Sequence, residues 1–481
     1  MAIPVKPSVA KNSIVMLSAQ VVIKLLGFFF TLYAARVLGV EIFGQYGFAV
    51  ALITFFSVIS SAGLDTYQTR QTAFMIGNQS IDSLMTNSFL ARLMVSIMSV
   101  LIIYLISIFI NKPLSFKVFL MLSSLAMAVN FLMGNFSSAL LGHERFKLYG
   151  VLAMGSQTLG TILGLLALYI GLGLIGIGIA HFTSAVVATI VIGLIVSRRV
   201  CRFRFGGSLA GAAEILKKAA PLAVAAILTT IYYKADFVML SFIKGDTAVG
   251  YYNSAYALVN GLLLVSTSFS ATILPRMSGY FRSDEAKLNQ LYSNSFKYML
   301  FIGLAAAFGA TFLAKPLFIL VYPESYMPGV DALKILIWAL ALMFVNMIQS
   351  AHLIARDLSK QLMIITGIGA IINIILNFIL IPRFSFSGAA VATVVSEVLA
   401  GIGFFLLLRR HLPLSQLLSW LGRLIPAIAA MSLFLIFTPA LNVILRIIGG
   451  AVIFAVILTL SKGLTRQDLD YLINLLPWGK N

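Results

Sequence analysis

The 481-residue chain holds one cysteine, four histidines and only 15 acidic residues. A lone Cys201 excludes an internal disulfide and any cysteine metal cage. His143, His181, His352 and His411 are too scattered for ligand spacing, so no metal site and no catalytic set is expected. Charge of either sign is scarce, at 10% of residues. The longest polar stretch runs only from about Arg198 to Lys218.

What is present instead is apolar. At 60% hydrophobic residues, the chain carries more apolar surface than a water-soluble globule can cover, and it belongs in a bilayer. The net charge of +19 does not point to nucleic acid, because the basic residues lie in short clusters between apolar runs. The N-terminus has the basic flank of a signal peptide, but its apolar run exceeds twenty residues without a cleavage site. It reads as the first membrane helix.

At roughly twenty residues per span, the apolar runs give about fourteen helices. Six fall near 12–37, 42–63, 88–110, 115–141, 148–170 and 173–197, six near 219–243, 249–273, 296–321, 332–354, 359–381 and 386–408, and a last pair near 418–438 and 442–461. With the N-terminus cytoplasmic, roughly two dozen of the 34 basic residues fall inside, including the clusters from Arg198, Arg276 to Lys287, Arg356 to Lys360 and Arg409–Arg410. The positive-inside rule favours this orientation, with both ends in the cytoplasm.

GVEIFGQYGFAVAL, Gly39 to Leu52, returns as GDTAVGYYNSAYAL, Gly245 to Leu258, with six of fourteen positions identical at an offset of 206. Arg70 and Arg276 share that offset, and Ser138–Ala139 recurs at Ser350–Ala351. This is internal duplication. Six helices per copy return the chain to the same side, so the repeats are parallel. The expected fold is an all-α polytopic membrane protein: a six-helix lobe over 1–200, a basic cytoplasmic linker over 201–218, a second six-helix lobe over 219–410, and a two-helix segment with a tail over 411–481. The glycines of GVEIFGQ lack the Lys-Ser/Thr of a phosphate-binding loop. The stretch reads as the outer hinge between the first two helices, with Tyr46 at the interface.

AARVLGVEIFGQYGFAVAL, the segment YYKADFVMLSFIKGDTAVGYYNSAYAL from Tyr232 and the tail LTRQDLDYL resemble the polysaccharide biosynthesis proteins. These are lipid-linked oligosaccharide flippases of the multidrug/oligosaccharidyl-lipid/polysaccharide exporter superfamily. The resemblance implies two lobes alternating between inward-open and outward-open states. It also implies a polyprenyl-diphosphate-linked saccharide as cargo, moved across the cytoplasmic membrane for cell-surface polysaccharide synthesis, with polysaccharide-assembly proteins as further partners. No cofactor is expected; coupling to a proton or sodium gradient or to the membrane potential stays open.

A charge at mid-bilayer costs roughly 2.5–3.5 kcal/mol, so each one implies a partner or a wet cavity. Lys24 lies mid-helix with Ser13, Gln20, Gly27 and Thr31 on one face; that stripe is expected to face the cleft, with Lys24 attracting a diphosphate. Glu397, beside Ala390, Thr393 and Gly401, is either a coupling carboxylate or a structurally paired one. Lys234 and Asp236 point about 160° apart and cannot pair within their helix. One is expected to face the cleft, and a structural role for Asp236 stays open. Arg36, Arg70, Arg92 and Arg276 read as interfacial anchors, with Arg70 and Arg276 also candidates for a cytoplasmic gate. His181 reads as a hydrogen-bonded packing residue.

Two other functions compete. A glycan polymerase or glycosyltransferase would need a sizeable external loop bearing catalytic groups, and every external loop is short. A cation-coupled multidrug exporter of the same superfamily typically has about twelve helices and a carboxylate in its first helix, where this chain has Lys24.

Overall fold

The computed structural model describes residues 7–61, 63–75, 81–200, 206–465 and 468. Fourteen α-helices account for nearly all of them: α1 Pro7–Leu38, α2 Val40–Ser61, α3 Leu64–Met75, α4 Asp82–Phe109, α5 Leu114–Gly142, α6 Phe146–Tyr169, α7 Gly173–Arg199, α8 Leu209–Lys244, α9 Asp246–Ser283, α10 Glu285–Val321, α11 Gly329–Ala355, α12 Ser359–Leu408, α13 Leu414–Phe437 and α14 Val443–Leu460. No strand occurs among the described residues. Thirteen segments are long and apolar enough to cross a membrane, with α2 and α3 counted as one. The 50-residue α12 is bent at Ser385, whose φ of 52° and ψ of −135° break the helix into two spans. The fourteen expected spans are thus present. Large apolar side chains such as Phe109, Phe378 and Leu460 are more than 70% exposed, as a lipid-facing surface requires.

Several boundaries differ from expectation. Arg276 to Lys287 is not an open loop: α9 runs to Ser283, and α10 starts at Glu285 with Asp284 accepting from Lys287 N (3.0 Å). Amphipathic sequence continues these helices beyond the apolar run, and the Asp284 cap marks the one turn between them. In the expected linker, residues 201–205 lie outside the described residues, and from Leu209 the chain is helical, capped by Ser208 accepting from Gly211 N. The second span is broken near Gly63 (φ 73°), so α3 sets off in a new direction.

The described residues divide into two compact units, one up to Gly250 and one from Tyr251. In the first, α5 packs against α7, α4 and α3, α6 against α7 and α1, and α8 against α2, α4 and α3. Met85, Phe136, Leu140, Ile192 and Val196 form one buried cluster there, and Leu64, Phe131 and Ile215 another. The duplication starts its second copy near 219, so α8 belongs to the second repeat by sequence and to the first unit by packing. In the second unit α11 is flanked by α10 and α12, and α13 and α14 pair with each other and lie on α10. Leu313, Met431 and Leu435 close that junction.

The first turn of α9 shows how the two copies of the repeated stretch are used. Gly39 (φ 75°) and Gly245 (φ 84°) each form the one-residue link between two helices, a conformation that favours glycine. Five residues on, Gly44 and Gly250 sit at a close crossing. A Cβ on Gly44 would collide with the carbonyl oxygen of Asp246, and one on Gly250 with that of Val40. At the 206-residue offset Gly44 matches Gly250 and Val40 matches Asp246, so the two collisions are mirror images. Lys112 seals this end through an ion pair with Asp246 and a hydrogen bond to Ser241 (3.3 Å).

Candidate functional site

Lys24, Gln20 and Thr31 lie where the helical spacing puts them, along one side of α1. Gln20 and Lys24 are exposed and Thr31 is half-buried, its hydroxyl donating to Gly27 O (2.8 Å). The side chain of Ser13 lies outside the description. On α8, Asp236 is 3% exposed and accepts from Phe237 N (2.9 Å). Lys234 is half-buried with its Nζ 4.9 Å over the Phe237 ring. Arg70 and Arg276 are both exposed, Arg70 at the middle of the short α3 and Arg276 in the last two turns of α9.

Glu397 is 2% exposed at the centre of the second half of α12. Asn346 of α11 donates to its Oε2 (2.8 Å) and its carbonyl (3.1 Å). Gly401, expected to allow close approach, does so: a Cβ there would come within 3.0 Å of Asn346 Oδ1. Asn373 in the first half of α12 donates to Ser396 in the second (3.3 Å), and Asn377 to Asn373 (2.8 Å). Buried polar groups are stable only when satisfied in this way. Glu397 therefore stands inside an amide-rich network that joins α11 to α12.

Arg92 corrects the sequence reading. It is no interfacial anchor but fully buried, paired with Asp65 (2.7 Å) and donating to Gln68 Oε1 (3.1 Å) and Phe131 O (3.2 Å). Gln68 in turn donates to Asn135 Oδ1 (2.8 Å). The cause is the break before α3, which folds Asp65 and Gln68 onto α4 and α5; the run of apolar residues gave no sign of it.

Sequence reasoning also missed a cavity of about 410 Å³ among α1, α5, α6 and α7. His181 lines it and packs there: its ring tilts against Phe30 at 6.4 Å, and Ser184 Oγ donates to its backbone carbonyl. The other polar lining groups are neutral amides and hydroxyls, which carry no charge penalty and so raise no alarm in a hydropathy reading. Among the described residues, no group of three His, Cys, Asp or Glu side chains suits a metal ion.

A helical bundle of membrane-spanning length, duplicated in sequence, with charges and amides held inside its spans, defines a multi-pass membrane protein of the transporter-like kind. Its fold matches the lipid II flippase MurJ in an inward closed conformation, with a TM-score of 0.78 over 95% of this chain and 99% of that one at 17% identity. It also matches the Vibrio cholerae MATE transporter VcmN, with a TM-score of 0.60 over 84% of this chain and 98% of that one at 16% identity. The description "Polysaccharide biosynthesis protein" matches residues 9–281, and the chain belongs to that family. A second description, MatE, matches residues 221–379. Among curated relatives, lipid II flippase MurJ of Bacillus subtilis is 28% identical over 31% of this chain and 28% of its own length. The probable low-salt glycan biosynthesis flippase Agl15 of Haloferax volcanii is 26% identical over 34% and 35%. The matched stretches thus span about a third of those two relatives. A putative O-antigen transporter of Shigella dysenteriae is 22% identical over 76% of this chain and 91% of that protein.

Proposed function

We propose that this chain moves a polyprenyl-diphosphate-linked saccharide across the cytoplasmic membrane by alternating access of its two six-helix repeats, with both termini in the cytoplasm. The observation that carries the reading is Lys24, an exposed cation midway along a membrane helix of a polysaccharide biosynthesis family member. Against lipid it would cost roughly 2.5–3.5 kcal/mol, so it fits a wet cleft where it meets the diphosphate, with Gln20 and Thr31 beside it. Lys234 and Asp236 supply further charge, and Arg70 and Arg276 serve as gate residues at the cytoplasmic side. Glu397 is the coupling carboxylate, and polysaccharide-assembly proteins of the same membrane are the partners.

The MatE match and the MATE-like fold favour one rival, cation-coupled export of small organic molecules. Reconstitution in proteoliposomes separates the two. Lys24→Ala is expected to abolish flipping of a lipid-linked saccharide while the protein still folds, and normal flipping would remove the role given to Lys24. Glu397→Gln is expected to lose its response to an imposed proton or sodium gradient; unchanged dependence would reduce Glu397 to a packing residue.

A further inference from the structure

The cavity among α1, α5, α6 and α7 is uncharged throughout its lining: no lysine, arginine, aspartate or glutamate faces it. Its floor is formed by Phe30, Thr161 and His181, each eight residues, or about 12 Å, from the Leu38, Tyr169 and Gly173 ends of their helices. Asn130, which also lines it, is exposed. Glycines on α6 shape the floor: a Cβ on Gly164 would press on the Phe30 ring at 2.8 Å, and one on Gly160 on Ser184 Oγ at 3.0 Å. Thr161 Oγ1 is buried without a hydrogen-bond partner, a cost that a bound polar group would relieve. At about 30 Å³ per water, 410 Å³ would hold on the order of ten waters, and the volume falls within the range of small-molecule pockets.

Neutral hydroxyl and amide groups around one aromatic face suit a hydroxyl-rich, uncharged ring and not a diphosphate. We propose that this cavity binds the uncharged, diphosphate-attached sugar of the cargo, with Gln157, Ser156 and Thr161 hydrogen-bonding its hydroxyls and Phe30 supplying an apolar face for the ring. This assignment rests on the reading of the chain as a transporter of lipid-linked saccharide. It divides recognition between two places: Lys24 meets the anionic link and the cavity meets the sugar.

The test uses the full chain in lipid nanodiscs with two probes, a polyprenyl diphosphate bearing one N-acetylhexosamine and the same polyprenyl diphosphate without sugar. Wild type is expected to bind the sugar-bearing lipid more tightly. Gln157→Leu and Thr161→Val are each expected to weaken that binding roughly three- to tenfold, the loss of one hydrogen bond, and to leave the bare lipid unaffected. Ala153→Leu, which narrows the cavity wall without removing a polar group, gives the same selective loss if a polar variant fails to fold. Equal binding of the two lipids by wild type, or variants that bind the sugar-bearing lipid like wild type, would overturn the cavity assignment while the transport reading stands. If wild type binds neither lipid, the transport reading falls and the cavity assignment with it.

Discussion

The third membrane span of each repeat buries a cation at nearly the same position along its helix, and the two are neutralised in different ways. Arg92 is the eleventh residue of α4 and Lys297 the thirteenth of α10. Arg92 is met locally, by Asp65 and Gln68 on the broken-off α3. The second repeat has no such break, since α9 continues to Ser283, and the position matching Asp65 at the 206-residue offset is Ala271. There the carboxylate arrives from the tail: Asp468 binds Lys297 through both oxygens at 2.8 Å and accepts from Tyr298 (2.9 Å) and from the backbone N–H and hydroxyl of Thr465. Duplication preserved the need for a counter-charge while the supplier changed. Within the tail motif LTRQDLD, Thr465 and Asp468 bond to each other, and Asp468 clamps α10.

The largest expected effect separates the two suppliers. Among the described residues Asp468 is the only acceptor for Lys297, so Asp468→Ala leaves a buried lysine uncompensated and should cost about 3–5 kcal/mol, measured by thermal or denaturant unfolding of the purified protein. Adding Lys297→Met should recover most of the loss; a silent Asp468→Ala would dissolve the parallel between the repeats. Next come the mirrored glycines. Gly44→Ala and Gly250→Ala should each lose about 1–3 kcal/mol by overpacking, and by similar amounts, whereas Gly27→Ala, with open space around it, should gain about 0.5–1 kcal/mol. Unequal losses at 44 and 250 would break the symmetry of the crossing. Asp65→Asn should cost only about 1 kcal/mol or less, because Asp65 is 58% exposed and Arg92 keeps Gln68 and the Phe131 carbonyl.

The smallest effect is a flat pH response. Burial alone would raise the Asp468 carboxyl, but its bonds from Lys297, Thr465 and Tyr298 together hold it below the ordinary carboxylate value. A depressed value stabilises the fold above the unfolded pKa, about 3.9, and the gain is lost only as pH falls through the lower, folded value. The difference in stability between wild type and the double variant Lys297→Met/Asp468→Ala, which leaves no lone buried lysine, should therefore stay constant from pH 8 to 5. A decline within that window would assign the anchoring to another group.

The number of spans, the duplication and the family were legible because each rests on local pattern: apolar run length, glycine spacing, basic clusters. The Lys24 stripe was legible for the same reason, as helical spacing alone places Gln20, Lys24, Gly27 and Thr31 together. Arg92 was misread because its burial depends on a turn at Gly63 that brings α3 back over it. The neutral cavity stayed hidden because Asn130, Gln157, Thr161 and His181 come from three helices, and none of them is costly enough alone to stand out of an apolar span. The Gly44 and Gly250 repeat was visible as a hinge, but nothing local showed that its two copies cross each other.

The distance between Lys297 and Asp468 along the chain also sets an order of events during synthesis. The two are 171 residues apart, so at translation speeds of about 5–20 residues per second the lysine waits roughly 10–30 s for its carboxylate. Through that interval the second repeat lacks the carboxylate that compensates its buried lysine. Arrival of Asp468 ends the wait, so among the described residues this ion pair forms only after all the helices of the second repeat have been made.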